Sequence, residues 1–582
     1  MRRLLTCLMA TPISLTLTVV LTALAAGISP ANLTAQAPEA AVSTGGMVSS
    51  QQWIASQVGA DVLEAGGNAV DAAIATGFAL AVTHPTAGNI GGGGFMVIRL
   101  SNGQSTAIDF REKAPLASNP EMWLDENGEY SAQVHHRGHR AVGVPGTVAG
   151  FDKAHRLYGQ ATWSDLVDPS VSLANDGFEL STALAGSMER FVGRSQYEAT
   201  VAAFSNEGAP FAAGENWKQA DLGRTLERIR DDRSDGFYRG TTARLISAEM
   251  RRGGGIITEE DLDRYEARER STVTGTYRGY DIIGMPPPSS GGVAVVTMLN
   301  ILEEYDLAGM GHNSAEYLHH VAEAMRRAFR DRATYLADAD FADVPVQRLT
   351  SKDHADWLRR DLDPERASLS HPTDVDVAYE SPETTHYSVV DAQGMAVSVT
   401  YTLESGYGSG IVVPGGGFLL NNEMGDFNAG PGLTNSSGLI GTEPNLARPQ
   451  QRMLSSMSPS IVARDGNLIA VVGSPGGRTI INTTLQLILN MVDFGMNVED
   501  AVAAPRMHHQ WLPDRIRIEA DAVTADVVSA LEALGHEVQM GGRQGSANSI
   551  GVNPRTGERT GAPDPRSPDS GARGSAAPGG SR

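Results

Sequence analysis

Two β-rich runs, Thr385 to Val390 and Met395 to Leu403, flank the turn Asp391-Ala392-Gln393-Gly394. β-branched and aromatic residues on both sides of a short polar turn ending in glycine predict an antiparallel hairpin. Around it the pattern changes repeatedly. Ile54, Val58, Val62 and Leu63 recur at helical spacing, and Ala69 to Val82 is small and apolar, a helix able to pack closely on a sheet. Gly91 to Gly94 leads into Phe95-Met96-Val97-Ile98, which reads as a glycine turn entering a buried strand. The stretch 150 to 270 is mostly helical by periodicity, and 276 to 304 runs strand, Pro286 to Gly292, helix. A helix is expected from Ser314 to Leu336, with Ser314 capping its first turn. Strands are expected at Gly410–Val413, Ser460–Ala463 and Leu468–Val472, and helices at Thr479–Met491 and Ala522–Leu534. Helix pairs alternating with antiparallel strands indicate a layered α+β fold.

The first residues, Met1-Arg2-Arg3, a largely apolar run to about Ala26, and the small residues Ala23-Leu24-Ala25-Ala26 form the pattern of a secretory signal peptide. Residues 27–45 read as a linker, and 555–582, rich in Gly, Pro, Ser and Arg, as a disordered tail. The only cysteine, Cys7, lies in the signal segment. Its removal leaves no thiol nucleophile, disulfide or cysteine metal site, so the exported protein stands on packing alone. With 68 acidic and 46 basic residues the net charge is -22, which repels phosphate backbones and argues against nucleic acid as a partner. His319 and His320 are adjacent rather than four apart, so a packing or surface role is expected and no metal site is assigned.

Familiar catalytic signatures are missing. The chain has neither a convincing Gly-x-Ser-x-Gly elbow nor His-Glu-x-x-His, and the tetraglycine lacks the spacing of a nucleotide fingerprint. The informative stretch is Glu383-Thr384-Thr385-His386-Tyr387-Ser388-Val389-Val390-Asp391. Alone, a threonine entering a strand is ordinary. Read together with Gly66 to Ala73, Asp109-Phe110-Arg111, Pro286 to Gly292, Asn421 to Phe427, Leu454 to Pro459 and Gly473 to Gly477, it resembles the γ-glutamyltranspeptidase family. The resemblance runs from about Gly45 to about Glu558, with the motifs in the family's order.

The resemblance implies an N-terminal nucleophile (Ntn) hydrolase with a four-layer αββα core, made as one precursor that cuts itself. The implied cut falls between Glu383 and Thr384. It gives a large subunit of residues 46–383 and a small subunit of 199 residues (582 less 383). The chemistry is coherent in itself: a free α-amine has a pKa of about 7.7 to 8.0 and can activate the hydroxyl of its own residue. By resemblance, Thr402 hydrogen-bonds to the nucleophile, and Gly476 and Gly477 offer backbone N–H groups to an oxyanion. Arg111, Ser455 and Ser456 hold an α-carboxylate, while Asp426, Glu423 and Glu404 face an α-ammonium.

Two positions depart from better-known members: Glu404 stands where asparagine is frequent, and Ser437 falls near an aromatic gate position. They leave open the acceptor and the balance of hydrolysis against transfer. The implied function is a γ-glutamyltransferase and glutathione hydrolase, needing no cofactor, acting on glutathione and other γ-glutamyl compounds with water, amino acids or dipeptides as acceptors. It would be periplasmic or secreted, meeting a membrane only during export. The alternatives are a glutaryl or cephalosporin-type acylase, a poly-γ-glutamate depolymerase, or a non-enzymatic surface binding protein.

Overall fold

The computed structural model describes residues 38–371, 384–433, 442–520 and 522–576. The signal segment, Glu383 and Ser437 lie outside them.

The hairpin forms as its sequence requires. Thr385–Val390 and Ala396–Thr402 pair antiparallel, with Thr385 opposite Tyr401 and Val390 opposite Ala396. Asp391 shapes the turn: its Oδ1 accepts from the Gln393 and Met395 N–H groups, both at 2.9 Å. Its Oδ2 accepts from Ala69 N–H at 3.1 Å, a carboxylate at a helix N-terminus. That helix, Ala69–Thr83, is buried along its whole length. Its start is fixed by a capping box, in which Asn68 Oδ1 accepts from Val70 and Asp71 N–H and Asp71 Oδ2 accepts from Asn68 N–H.

The hairpin lies near the middle of a seven-stranded sheet ordered Gly571–Gly574, Met47–Ser50, Thr385–Val390, Ala396–Thr402, Gly93–Arg99, Ser105–Phe110, Arg268–Arg270. A second seven-stranded sheet is ordered Ala41–Ser43, Arg559–Ala562, Ser549–Val552, Asn467–Val472, Ser460–Arg464, Tyr280–Gly284, Val273–Tyr277. Neighbours in both sheets are antiparallel. The sheets face each other through Met47, Phe95 and Val97 on one side and Ile283, Ile461 and Val471 on the other. Period-two alternation sends Met96 and Ile98 the opposite way, onto Ala69–Thr83 and neighbouring helices. Helices Gly291–Leu302, Ala315–Tyr335 and Thr479–Val492 cover the outer face of the second sheet. The result is an αββα-like stack, antiparallel sheets between helical layers. Ser314 caps its helix as expected, its Oγ accepting from Tyr317 N–H at 3.1 Å.

Three sequence expectations need correction. The segment 555–582 was expected as a disordered tail, yet Arg559–Ala562 inserts between Ser549–Val552 and Ala41–Ser43, and Gly571–Gly574 pairs with Met47–Ser50. Its glycine- and arginine-rich composition conceals strands because the main chain supplies the pairing, and Arg559 and Ala562 are buried. The 27–45 linker likewise contains the strand Ala41–Ser43. Gly410–Val413 is no strand but a loop with one isolated bridge, Val412 to Leu419. Among the described residues no helix is long and apolar enough to cross a membrane.

Candidate active site

One narrow cleft gathers Arg111, Thr384, Thr402, Glu404, Glu423, Asp426, Ser455 and Gly477. Thr384 is the residue before the hairpin's first strand and is 5% exposed. The register that pairs Thr385 with Tyr401, carried one residue further, sets Thr384 across from Thr402. Thr402 is held from both sides: its Oγ1 accepts from Glu404 N–H at 2.8 Å, and its carbonyl accepts from Asn89 Nδ2 at 2.9 Å. A Cβ on Gly92 would lie 2.0 Å from that carbonyl. The tetraglycine therefore serves close backbone approach to the second threonine, which only glycine allows.

Gly476 and Gly477 precede the helix Thr479–Val492, with φ of 130° and 56°. Gly477 and Ser455 line the cleft, and Gly476 and Ser456 adjoin them in the chain. Backbone N–H groups at a helix N-terminus suit a developing negative charge.

Arg111 follows the strand Ser105–Phe110 and is fully buried. Its Nη1 donates to Glu423 Oε1, its Nη2 to Asp426 Oδ2, and its Nε to the Met453 carbonyl at 3.3 Å. Glu112 Oε2 lies 3.5 Å from Nη1. One guanidinium thus faces three buried carboxylates. Burial opposes the charge on Arg111, but Glu423, Asp426 and Glu112 outweigh it and keep the guanidinium protonated. Burial, with like charges at Glu112 and Glu404, pushes Glu423 well above the usual carboxylate range. Burial also raises Glu112, to about 8. Burial and mutual repulsion thus oppose full ionisation of the carboxylates, while Arg111 favours it.

Glu404 adopts φ 78°, a strained value for a non-glycine residue, and its Oε2 accepts from Asn422 Nδ2 and from Ser405 Oγ at 2.6 Å. The Ser455 loop is fixed by the Pro286 to Gly292 segment: Ser455 N–H donates to the Pro288 carbonyl at 2.9 Å, and Ser290 N–H and Oγ donate to the Ser455 carbonyl.

Residues missed from sequence complete this shell. Arg332 Nε donates to Ser290 Oγ at 2.9 Å and its Nη2 to Ser456 Oγ at 3.1 Å. Its signal was there, since it falls in helical phase with the buried Val321, Met325 and Ala328. Asn445 bridges two loops, accepting from Leu454 N–H at 2.9 Å and donating to the Asp426 carbonyl at 2.8 Å. His319 and His320 are both buried. His319 Nδ1 lies 2.8 Å from His536 Nε2, and Glu323 is close enough for the three to reach one cation. Arg326 and Arg327 already neutralise Glu323, so packing remains the better description.

A threonine at the head of a central strand, facing a second threonine and a helix-end glycine pair inside an αββα stack, defines an Ntn hydrolase. The comparisons with known proteins narrow that class. The γ-glutamyltranspeptidase family model matches residues 55–574, and the chain belongs to that family. It is 48% identical over 529 residues to the glutathione hydrolase proenzyme of Escherichia coli (strain K12), covering 90% of this chain and 91% of that one. Among solved structures it is similar to a cephalosporin acylase from Bacillus halodurans, with a TM-score of 0.82 and 26% identity over 92% of this chain and 97% of that one. It also matches Helicobacter pylori γ-glutamyltranspeptidase, with a TM-score of 0.53 and 44% identity over 54% of this chain and 91% of that chain.

Proposed function

We propose that the chain is an exported precursor that cuts itself between Glu383 and Thr384, and then hydrolyses glutathione and transfers γ-glutamyl groups. The large subunit would be residues 46–383 and the small subunit 384–582. In processing, Thr384 Oγ attacks the Glu383 carbonyl, the peptide becomes an ester, and water opens it. The Thr384 α-amine set free is the base for turnover. It takes the hydroxyl proton as Oγ attacks the γ-carbonyl and returns it to the departing amine. The N–H groups of Gly476 and Gly477 stabilise the oxyanion, and the Thr402 hydroxyl orients Thr384 Oγ. The γ-glutamyl ester then passes to water or to an amino acid or dipeptide amine.

The observation that carries this reading is the charge pattern opposite Thr384. Arg111 already faces Glu423 and Asp426 in a buried ion cluster. A zwitterion inserts into such a cluster with charge conserved: the α-carboxylate goes to Arg111, Ser455 and Ser456, the α-ammonium to Asp426, Glu423 and Glu404. An anion alone would leave the carboxylates without a counter-charge, which burial makes costly.

The acylase alternative is favoured by the fold similarity to a cephalosporin acylase. Turnover of glutamyl and glutaryl anilides separates the two. A preference for glutamyl of 100-fold or more is expected, whereas equal turnover would overturn the assignment of the carboxylates. Glutathione should yield glutamate and cysteinylglycine in the presence of a chelator.

A further inference from the structure

A second cleft, of about 670 Å3, opens beside the edge strand Arg268–Arg270, and neither threonine nor Gly477 lines it. Its wall carries Lys113, Arg264, Arg268, Arg270 and Arg452 against Glu266, Glu269 and Asp340. In a chain of net charge -22 this is a local reversal of sign.

Three of the five cations are already committed. Arg264 pairs with Glu260 at 2.6 Å, Arg270 with Asp109 at 2.7 Å and Asp340 at 2.8 Å, and Arg452 with Asp109 at 3.3 Å. Among the described residues Lys113 and Arg268 have no ion pair. Lys113 is only 7% exposed, and its Nζ lies 5.6 Å from the Tyr265 ring centre; Asp109 and Glu266 act on it electrostatically, but neither forms an ion pair with it. A buried ammonium without a direct ion pair is uncommon because its desolvation is only partly offset. Burial, then Arg452 and Arg268, outweigh the opposing pull of Asp109 and Glu266 and lower its pKa to about 8. The Gln450 side chain adds a buried Nε2 with no acceptor. Donors from three separate segments thus converge on one cavity, an arrangement that suits a negative ligand rich in acceptors.

We propose that this cleft binds a small multivalent oxyanion of the phosphate or sulfate class, held by Lys113, Arg268 and the Gln450 amide. Several donors spread around a cavity of this size suit a polyatomic ion better than a single halide. The site adjoins the catalytic machinery through the chain: Lys113 is two residues beyond Arg111, and Arg452 precedes Met453, whose carbonyl accepts from Arg111.

The test uses the processed protein and titration calorimetry with inorganic phosphate and sulfate, in sodium chloride at constant ionic strength. One-to-one binding is expected, weakened at least tenfold by Arg268→Gln, an exposed position that folding tolerates, and by Lys113→Met. Glycerol phosphate as a third ligand separates a bare ion from the head of a larger molecule: tighter binding assigns the latter, weaker or equal binding the former. Location is read independently by acetylation and peptide mass spectrometry, because the chain has only four lysines, Lys113, Lys153, Lys218 and Lys352. Phosphate should slow modification of Lys113 severalfold and leave the other three unchanged. No saturable binding below about 10 mM, or binding unaltered in both variants, would overturn the proposal.

Discussion

Replacing Arg111 by lysine keeps the charge and removes the fork. In the free protein the guanidinium meets Glu423 with one nitrogen, Asp426 with another and the Met453 carbonyl with a third. A lysine ammonium in that volume meets one acceptor well, so the substrate α-carboxylate loses one charge-assisted hydrogen bond of two. Such bonds contribute about 1.5–3 kcal/mol, which is about 10- to 150-fold in kcat/KM. The assay is release of anilide from γ-glutamyl anilide, run beside 4-aminobutyryl anilide, which lacks the carboxylate. Arg111→Lys should still process itself and should lose 10- to 150-fold on the first substrate and almost nothing on the second. A loss within about threefold on γ-glutamyl anilide would refute the carboxylate-binding role. An equal loss on both would show that the substitution acts through the fold instead.

Other consequences can be checked separately. Arg332→Gln removes the donors to Ser290 and Ser456 and should raise KM for γ-glutamyl substrates about tenfold with a smaller change in kcat; a loss confined to kcat would contradict a positioning role. Truncation after Arg555 deletes two strands of the central sheets, so the shortened chain should be insoluble or rapidly proteolysed; a stable, active truncation would contradict the strand assignment. Burial lowers His84 and His136 to about 4 and His386, His508 and His536 to about 3. Each is neutral when folded and binds a proton when unfolded below about pH 6.5. Their stabilisation is therefore complete above that pH and lost as pH falls toward about 4 for His84 and His136 and toward about 3 for His386, His508 and His536, at up to about 1.4 kcal/mol per pH unit for each. Thermal midpoints should fall steeply from pH 6.5 to 4.5; a flat profile would mean these groups are not buried.

Much of this architecture is readable in the sequence because period and turn chemistry act locally. The hairpin, the Ala69–Thr83 helix and the Ser314 cap each depend on residues within a few positions of one another. Thr384 and Thr402 are legible as a pair for the same reason, since hairpin register fixes which residues oppose. Strands Arg559–Ala562 and Gly571–Gly574 are not, because their pairing depends on partners hundreds of residues away, and glycine and arginine announce no core. Arg332 and Asn445 escape notice because they act on other side chains and loops rather than on a motif. The Arg111 cluster is visible as residue types but not as an ion network, which needs three distant segments brought together.

The central claim is that Thr384 becomes an N-terminal nucleophile, and denaturing mass spectrometry with N-terminal sequencing of the purified protein tests it most directly. The account predicts a 199-residue fragment (582 less 383) beginning Thr384-Thr385-His386, and a Thr384→Ala variant that stays whole. A single uncut chain from folded, incubated wild-type protein would contradict it, because Thr384 would then have no free amine to act as base.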